Sequence, residues 1–133
     1  MSGETTFERA VAAQDPDAIV AALAPDVVFR SPVVYRPYEG REAAGTVLRA
    51  VTRVFEEFEY VQRLQAPDGS VALIFRARVG EREIEGIDLL RFDDEGRVAE
   101  LTVMVRPMSG INAVAAAMAD ELRRMGVPVP GGS

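Results

Sequence analysis

The sequence contains no cysteine and no histidine, and lysine is absent as well, so all fifteen basic side chains are arginine. Those gaps exclude disulfides, thiol nucleophiles, imidazole bases, the Ser-His-Asp triad and the usual zinc sites. Acid-base chemistry is left to carboxylates and tyrosine, and neither a metal site nor a cofactor is expected. No apolar run approaches the roughly 20 residues of a membrane span, and the N-terminal "MSGETTFERA" lacks the basic and apolar regions of a signal peptide. A cytoplasmic location without a membrane partner is therefore expected. Positive charge is also in deficit: a net charge of -6 and a pI near 4.7 repel polyphosphates, so nucleic acid is not an expected partner.

What is present suits a folded domain, with 133 residues of which 48% are hydrophobic. A single domain is expected over 1–126, with "VPVPGGS" at 127–133 as a flexible tail. Phe7, Ala10, Val11 and Gln14 fall at helical spacing, and "DPD" at 15–17 supplies an N-cap, a proline at the first helical position and an acidic first turn. This second helix, with Ile19, Ala22 and Leu23 on its buried side, ends at "APD", and a first strand follows at about 26–31. After a loop rich in Pro and Tyr, Ala44, Val47, Leu48, Val51, Val54 and Phe55 mark a long central helix. Turn signals at 66–70, 79–83 and 93–97 divide four strand-like segments into an antiparallel meander. Ser109 is expected to cap a terminal helix that Gly126 stops. The order of elements gives an α+β fold, with helices covering one side of a curved sheet.

One strand of that meander carries an anomaly. In "EGIDLLRFD" at 85–93, alternation puts Asp88 on the face shared by Ile84, Gly86, Leu90 and Phe92. An ionised carboxylate on an apolar face is costly unless it is paired, hydrogen-bonded or protonated. Gly86 either leaves a cavity beside Asp88 or marks a bulge that bends the strand. Neighbouring strands turn Val71, Leu73, Phe75 and Ala77, and Leu101, Val103 and Val105, to uniformly apolar faces. Their backs mix Ile74, Ile87, Leu89 and Met104 with Arg76, Arg78, Arg91 and Arg106, which fits either a homodimer interface or a solvated face.

These residues resemble a known family. "IDLLRFDDEGRV" and "DAIVAALAPDVVFRSPVVYRPYEGRE" are similar to the NTF2-like or SnoaL-like cone proteins, and within them to the ketosteroid isomerases. The resemblance implies that cone, with helices packed on the concave face of its sheet. It also implies that Asp88 stands where the isomerases keep a buried, protonated acid at the cavity floor. Their general-base Asp precedes the proline after the first strand, where this chain has Ser31 before Pro32; their oxyanion-donating Tyr falls on Phe7. A serine hydroxyl cannot take a proton from carbon at neutral pH without a base of its own. The arginine of limonene epoxide hydrolase-like enzymes falls on Gly86, and scytalone dehydratase-like enzymes require histidines.

The expected function is binding of a small, mostly apolar molecule of steroid, terpenoid or polyketide type, oriented by Asp88. Its expected wall is Phe7, Ser31, Tyr35, Tyr60, Phe75, Ile84, Gly86, Leu90, Leu101, Val103 and Val105. Tyr35 and Tyr38 either contact a ligand near the open end of the cone or pack the loop, and Tyr60 either turns its hydroxyl to the cavity or simply packs. The alternatives are an isomerase-, cyclase- or dehydratase-like enzyme with Asp88 as acid/base, and a dimerisation module with a filled cone.

Overall fold

The computed structural model describes residues 4–127. Helix α1 (Thr6–Ala12) opens on Thr5, whose hydroxyl accepts from the Glu8 N–H while the Glu8 carboxylate reaches back to it. Helix α2 (Pro16–Ala21) has the expected Asp15 cap, its carboxylate accepting from the Ala18 N–H. It stops earlier than the sequence suggests, because strand β1 (Leu23–Arg30) begins at Leu23. Leu23 is thus a buried strand residue rather than part of a helical stripe. The pairing of β1 shifts register between Leu23 and Val28, and the Arg41 guanidinium donates twice to the Leu23 carbonyl there.

A two-residue strand, β2 (Tyr38–Glu39), lies inside the loop expected to be irregular and pairs with β1. Helix α3 (Arg41–Val54) follows, then the four expected strands: β3 (Glu56–Gln65), β4 (Val71–Val79), β5 (Arg82–Phe92) and β6 (Val98–Arg106). Helix α4 (Met108–Arg124) starts after Pro107, and no side chain caps it, so Ser109 sits in its first turn and not at its cap. Gly126 lies just beyond its end with φ 76, the left-handed conformation that closes helices most cheaply with glycine. Of the 127–133 segment only Val127 lies within the described residues.

The strands form one curved, unclosed sheet in the order β2-β1-β6-β5-β4-β3. β1 runs parallel to β6, and the other neighbours are antiparallel. α4 lies against β4, β5 and β6, while α3 packs on α4, α2 and β1, so the helices cover the concave face. Besides Asp88, two charged residues are buried: Glu8, and Glu121, which pairs with Arg53 of α3 and Arg124 of α4 and so ties the two long helices together.

Alternation along β5 is as expected, with Ile84, Gly86, Asp88 and Leu90 buried and Ile87, Leu89 and Arg91 exposed. Register through Gly86 is unbroken on both sides, from Phe75 across to Val105, so no bulge occurs there. A Cβ on Gly86 would lie 2.4 Å from Phe75 Cζ and 2.6 Å from the Met104 carbonyl oxygen. The missing side chain is therefore replaced by the Phe75 ring, and Gly86 itself opens no cavity. Gly86→Ala must displace both a buried ring and backbone, and is expected to lower stability by about 1–3 kcal/mol, read from the urea midpoint at unchanged slope.

Candidate functional site

Asp88 of β5 and Tyr60 of β3 meet across β4. The Tyr60 hydroxyl donates to Asp88 Oδ2 at 2.7 Å. Cross-strand neighbours Leu73 and Val103 flank the acid with apolar side chains, and the residue is only 8% exposed. Burial drives the carboxyl up from 3.8 to about 6, and the Tyr60 hydrogen bond offsets part of that rise by favouring the anion. Burial and the neighbouring Asp88 push the Tyr60 phenol upward, so it stays a donor at any ordinary pH. Among the described residues Tyr60 is the only hydrogen-bond partner of the carboxyl, and no buried side-chain polar atom lacks a partner, so Oδ1 is left open at the cavity surface.

Tyr60 is held by aromatic contacts that begin at Gly86. Phe75, seated in the space over Gly86, stacks on Phe58 with centroids 4.9 Å apart. Phe58 in turn meets the Tyr60 ring edge-on at 5.0 Å, and Phe55 leans on Phe75 at 5.9 Å. From the other side, the Arg63 Nε donates to both carboxylate oxygens of Glu8 in α1 at 3.0 and 3.1 Å, pinning α1 to β3 close to Tyr60. Glu8 is 4% exposed, and its negative charge contributes to the rise at Tyr60.

Asp88 and Tyr60 form part of the wall of a cavity of about 290 Å³ between the sheet and the helices. Of the residues expected to line it, Phe7, Ser31, Tyr60, Asp88, Leu101 and Val103 do so. Phe75 and Gly86 lie one layer behind, and Leu90 is fully buried elsewhere on the concave face. Ile84 packs under the start of α4 against Gly110. Val105 is half-buried outside the lining, and Tyr35 projects away at 90% exposure. Tyr38 does reach the cavity, stacked on Phe29 at 5.8 Å.

Much of the wall was not anticipated. Val47, Leu48, Val51 and Phe55 come from α3 and its end, and Val114, Met118 and Leu122 from α4. Their helical stripes were legible, but the gap they leave above the sheet depends on how far the helices stand off it. Exposed Gln14 and Val33 and half-buried Ser31, Pro32 and Val34 mark the mouth. The Ser31 hydroxyl accepts from the Val33 and Val34 N–H groups at 3.3 and 3.1 Å, so it staples the turn at the rim. No set of residues able to hold a metal ion occurs among the described residues.

Residues 4–101 match the family model described as SnoaL-like domain. No curated protein matches the chain. Among solved structures it is similar to a steroid delta-isomerase from Pseudomonas aeruginosa, with 45% identity covering 90% of this chain and 88% of that one and a TM-score of 0.86. It is also similar to an uncharacterized bacterial protein with a cystatin-like fold from Silicibacter pomeroyi, with 32% identity, 89% and 83% coverage and a TM-score of 0.83. The epoxide hydrolase/cyclase-like enzyme SalBIII of salinomycin pyran ring formation shares the fold at 22% identity, with 78% and 87% coverage and a TM-score of 0.65.

Two titrations test this geometry. The folded protein keeps the Asp88 proton to higher pH than the unfolded chain does, so the acid costs nothing below pH 3.8 and progressively destabilises the fold as pH rises to about 6. Asp88→Asn is therefore expected to match the parent near pH 3.5 and to exceed it by up to about 3 kcal/mol at pH 7.5, read from urea unfolding at each pH. Tyr60→Phe removes the hydrogen bond that favours the anion, and the Asp88 carboxyl is expected to titrate above 6 in its carbon-13 NMR spectrum.

Proposed function

The chain belongs to the SnoaL-like family, and on that premise we propose that it binds a small, mostly apolar molecule of steroid, terpenoid or polyketide type beside Asp88. The observation that carries this reading is the cavity itself, apolar and ring-lined, with a single carboxyl-phenol pair in its wall. At about 290 Å³ it lies near the small end of ligand pockets, which run from about 300 Å³ upward. It is also space that a filled cone would lack. Burial of an acid that stabilises nothing at neutral pH supports a role outside folding. When protonated, Asp88 can donate from Oδ1 to a carbonyl or hydroxyl on the ligand while Tyr60 fixes the other oxygen.

The 45%-identical relative bears the name steroid delta-isomerase, and an isomerase-, cyclase- or dehydratase-like activity is the second reading. It is favoured by the Asp88 carboxyl near 6, where acid and base forms are both accessible around neutral pH. Asp88 would carry the proton through Oδ1, with Tyr60 holding Oδ2 and so fixing the orientation of the carboxyl. The pair of residues that resemblance would make catalytic is otherwise replaced: Phe7 offers no hydroxyl, and Ser31 is engaged in the rim turn. Classical ketosteroid isomerisation therefore has no base where the resemblance would put one.

A panel of neutral steroid and terpenoid ketones, followed by calorimetry and by product analysis, separates the readings. Binding without turnover, retained within about threefold in Asp88→Asn, supports the binding protein. Turnover that falls by about 10²-fold or more in Asp88→Asn while binding persists supports the enzyme. Absence of any binding contradicts both.

The outer sheet face supports a homodimer as the working form. Ile74, Ile87 and Met104 are cross-strand neighbours, and Leu64, Ala72 and Leu89 form a second row beside them. Met104 is 58% exposed, and Arg76, Arg91 and Arg106 surround these rows. Light scattering at micromolar concentration is expected to give twice the monomer mass, and Met104→Glu to halve it; a monomer for the parent chain would overturn the dimer.

A further inference from the structure

The cavity's charge balance is one-sided. Among the described residues that line it there is no arginine, in a chain with fifteen, and Asp88 is the one carboxyl. Around it stand six aromatic side chains, Phe7, Phe29, Tyr38, Phe55, Phe58 and Tyr60. Adjoining the cavity, and sharing Val11, Gln14, Phe58 and Tyr60 with it, is a groove between α1 and β3 that carries Glu4, Glu8 and Glu59 against Arg63. Arg63 is committed to Glu8. An anion entering the cavity meets the Asp88 carboxyl and no cation among the described lining residues, and a buried carboxylate strongly disfavours a second negative charge.

We propose that the cavity also takes protonated amines: an organic ammonium with an apolar body, its charge seated against the open Oδ1 of Asp88 and the ring faces around it. Tyr60 fills Oδ2, so one oxygen remains for an N–H donor. The ionised form of Asp88 has no cationic partner in the cavity wall, and a ligand cation supplies the pairing that a buried carboxylate otherwise lacks. Aromatic faces add cation–π attraction that strengthens when the cation is desolvated. The inference rests on the same cavity proposed above for neutral ligands, and the protonation state of Asp88 divides the two classes. Neutral Asp88 donates to a carbonyl or hydroxyl, whereas ionised Asp88 accepts from an ammonium. Among the described residues, the other titratable groups facing the cavity are Tyr60 and Tyr38, both phenols raised by burial, with Glu8 and its partner Arg63 behind Tyr60.

Three probes of one skeleton test the assignment by calorimetry on the full chain: 1-adamantylamine, 2-adamantanone and adamantane-1-carboxylate. The amine is expected to bind at pH 7.5 and to weaken about tenfold at pH 5 as Asp88 is protonated, whereas the carboxylate is expected to show no measurable affinity at pH 7.5. In Asp88→Asn the ratio of amine to ketone affinity is expected to fall at least tenfold. Ketone binding with no amine binding, or an amine affinity indifferent to both pH and Asp88→Asn, overturns this inference and leaves the neutral-ligand reading standing. Binding of none of the three overturns both.

Discussion

The Tyr60–Asp88 hydrogen bond is the interaction on which the site depends. It joins the edge strand β3 to β5 over the top of β4, and it decides which oxygen of the acid is spoken for and which faces the cavity. Without a donor at that point, burial would act on the carboxyl unopposed and hold its proton more firmly. With the donor, the group is poised where modest changes in surroundings switch its charge. The phenol ring is positioned by Phe58, itself stacked on Phe75, and by the neighbouring α1–β3 ion pair.

Those restraints lead back to a residue with no side chain. Phe75 can lie flat toward β5 only because position 86 is glycine, and Phe58 stacks on Phe75 before meeting Tyr60. A deletion of one side chain on β5 thus places a hydroxyl contributed by β3. The contribution of Gly86 to the site is made through packing, one layer removed from any ligand.

Local pattern was enough to read the elements and the faces. The three turns of the meander, the Asp15 cap, the α3 stripe and the inward face of β5 all follow from spacing and turn chemistry within a few residues. The acid on the apolar face was legible for the same reason, since alternation is a strictly local rule. What escaped depends on distant neighbours. Leu23 has an apolar side chain suited to helix or strand, and only pairing with β6 assigns it to β1. Glu8 and Glu121 look like ordinary surface charges until Arg63 and Arg53 arrive from other elements. Tyr60 could be placed on a strand, but its partner lies 28 residues further along the chain. Gly86 admitted two readings because each concerned its own strand, whereas the answer came from the ring opposite.

The edge of the sheet carries a different consequence. β3 shifts register twice against β4, holds Glu57 at φ 55, and carries Glu56, Glu57, Glu59 and Arg63 on a strand whose outer edge pairs with no other strand among the described residues. Such a strand offers a kinked and charged ladder that an incoming chain matches poorly. At this edge the sheet is thereby guarded against growth by strand addition, the route that leads toward fibrils, even though apolar rows lie on its outer face.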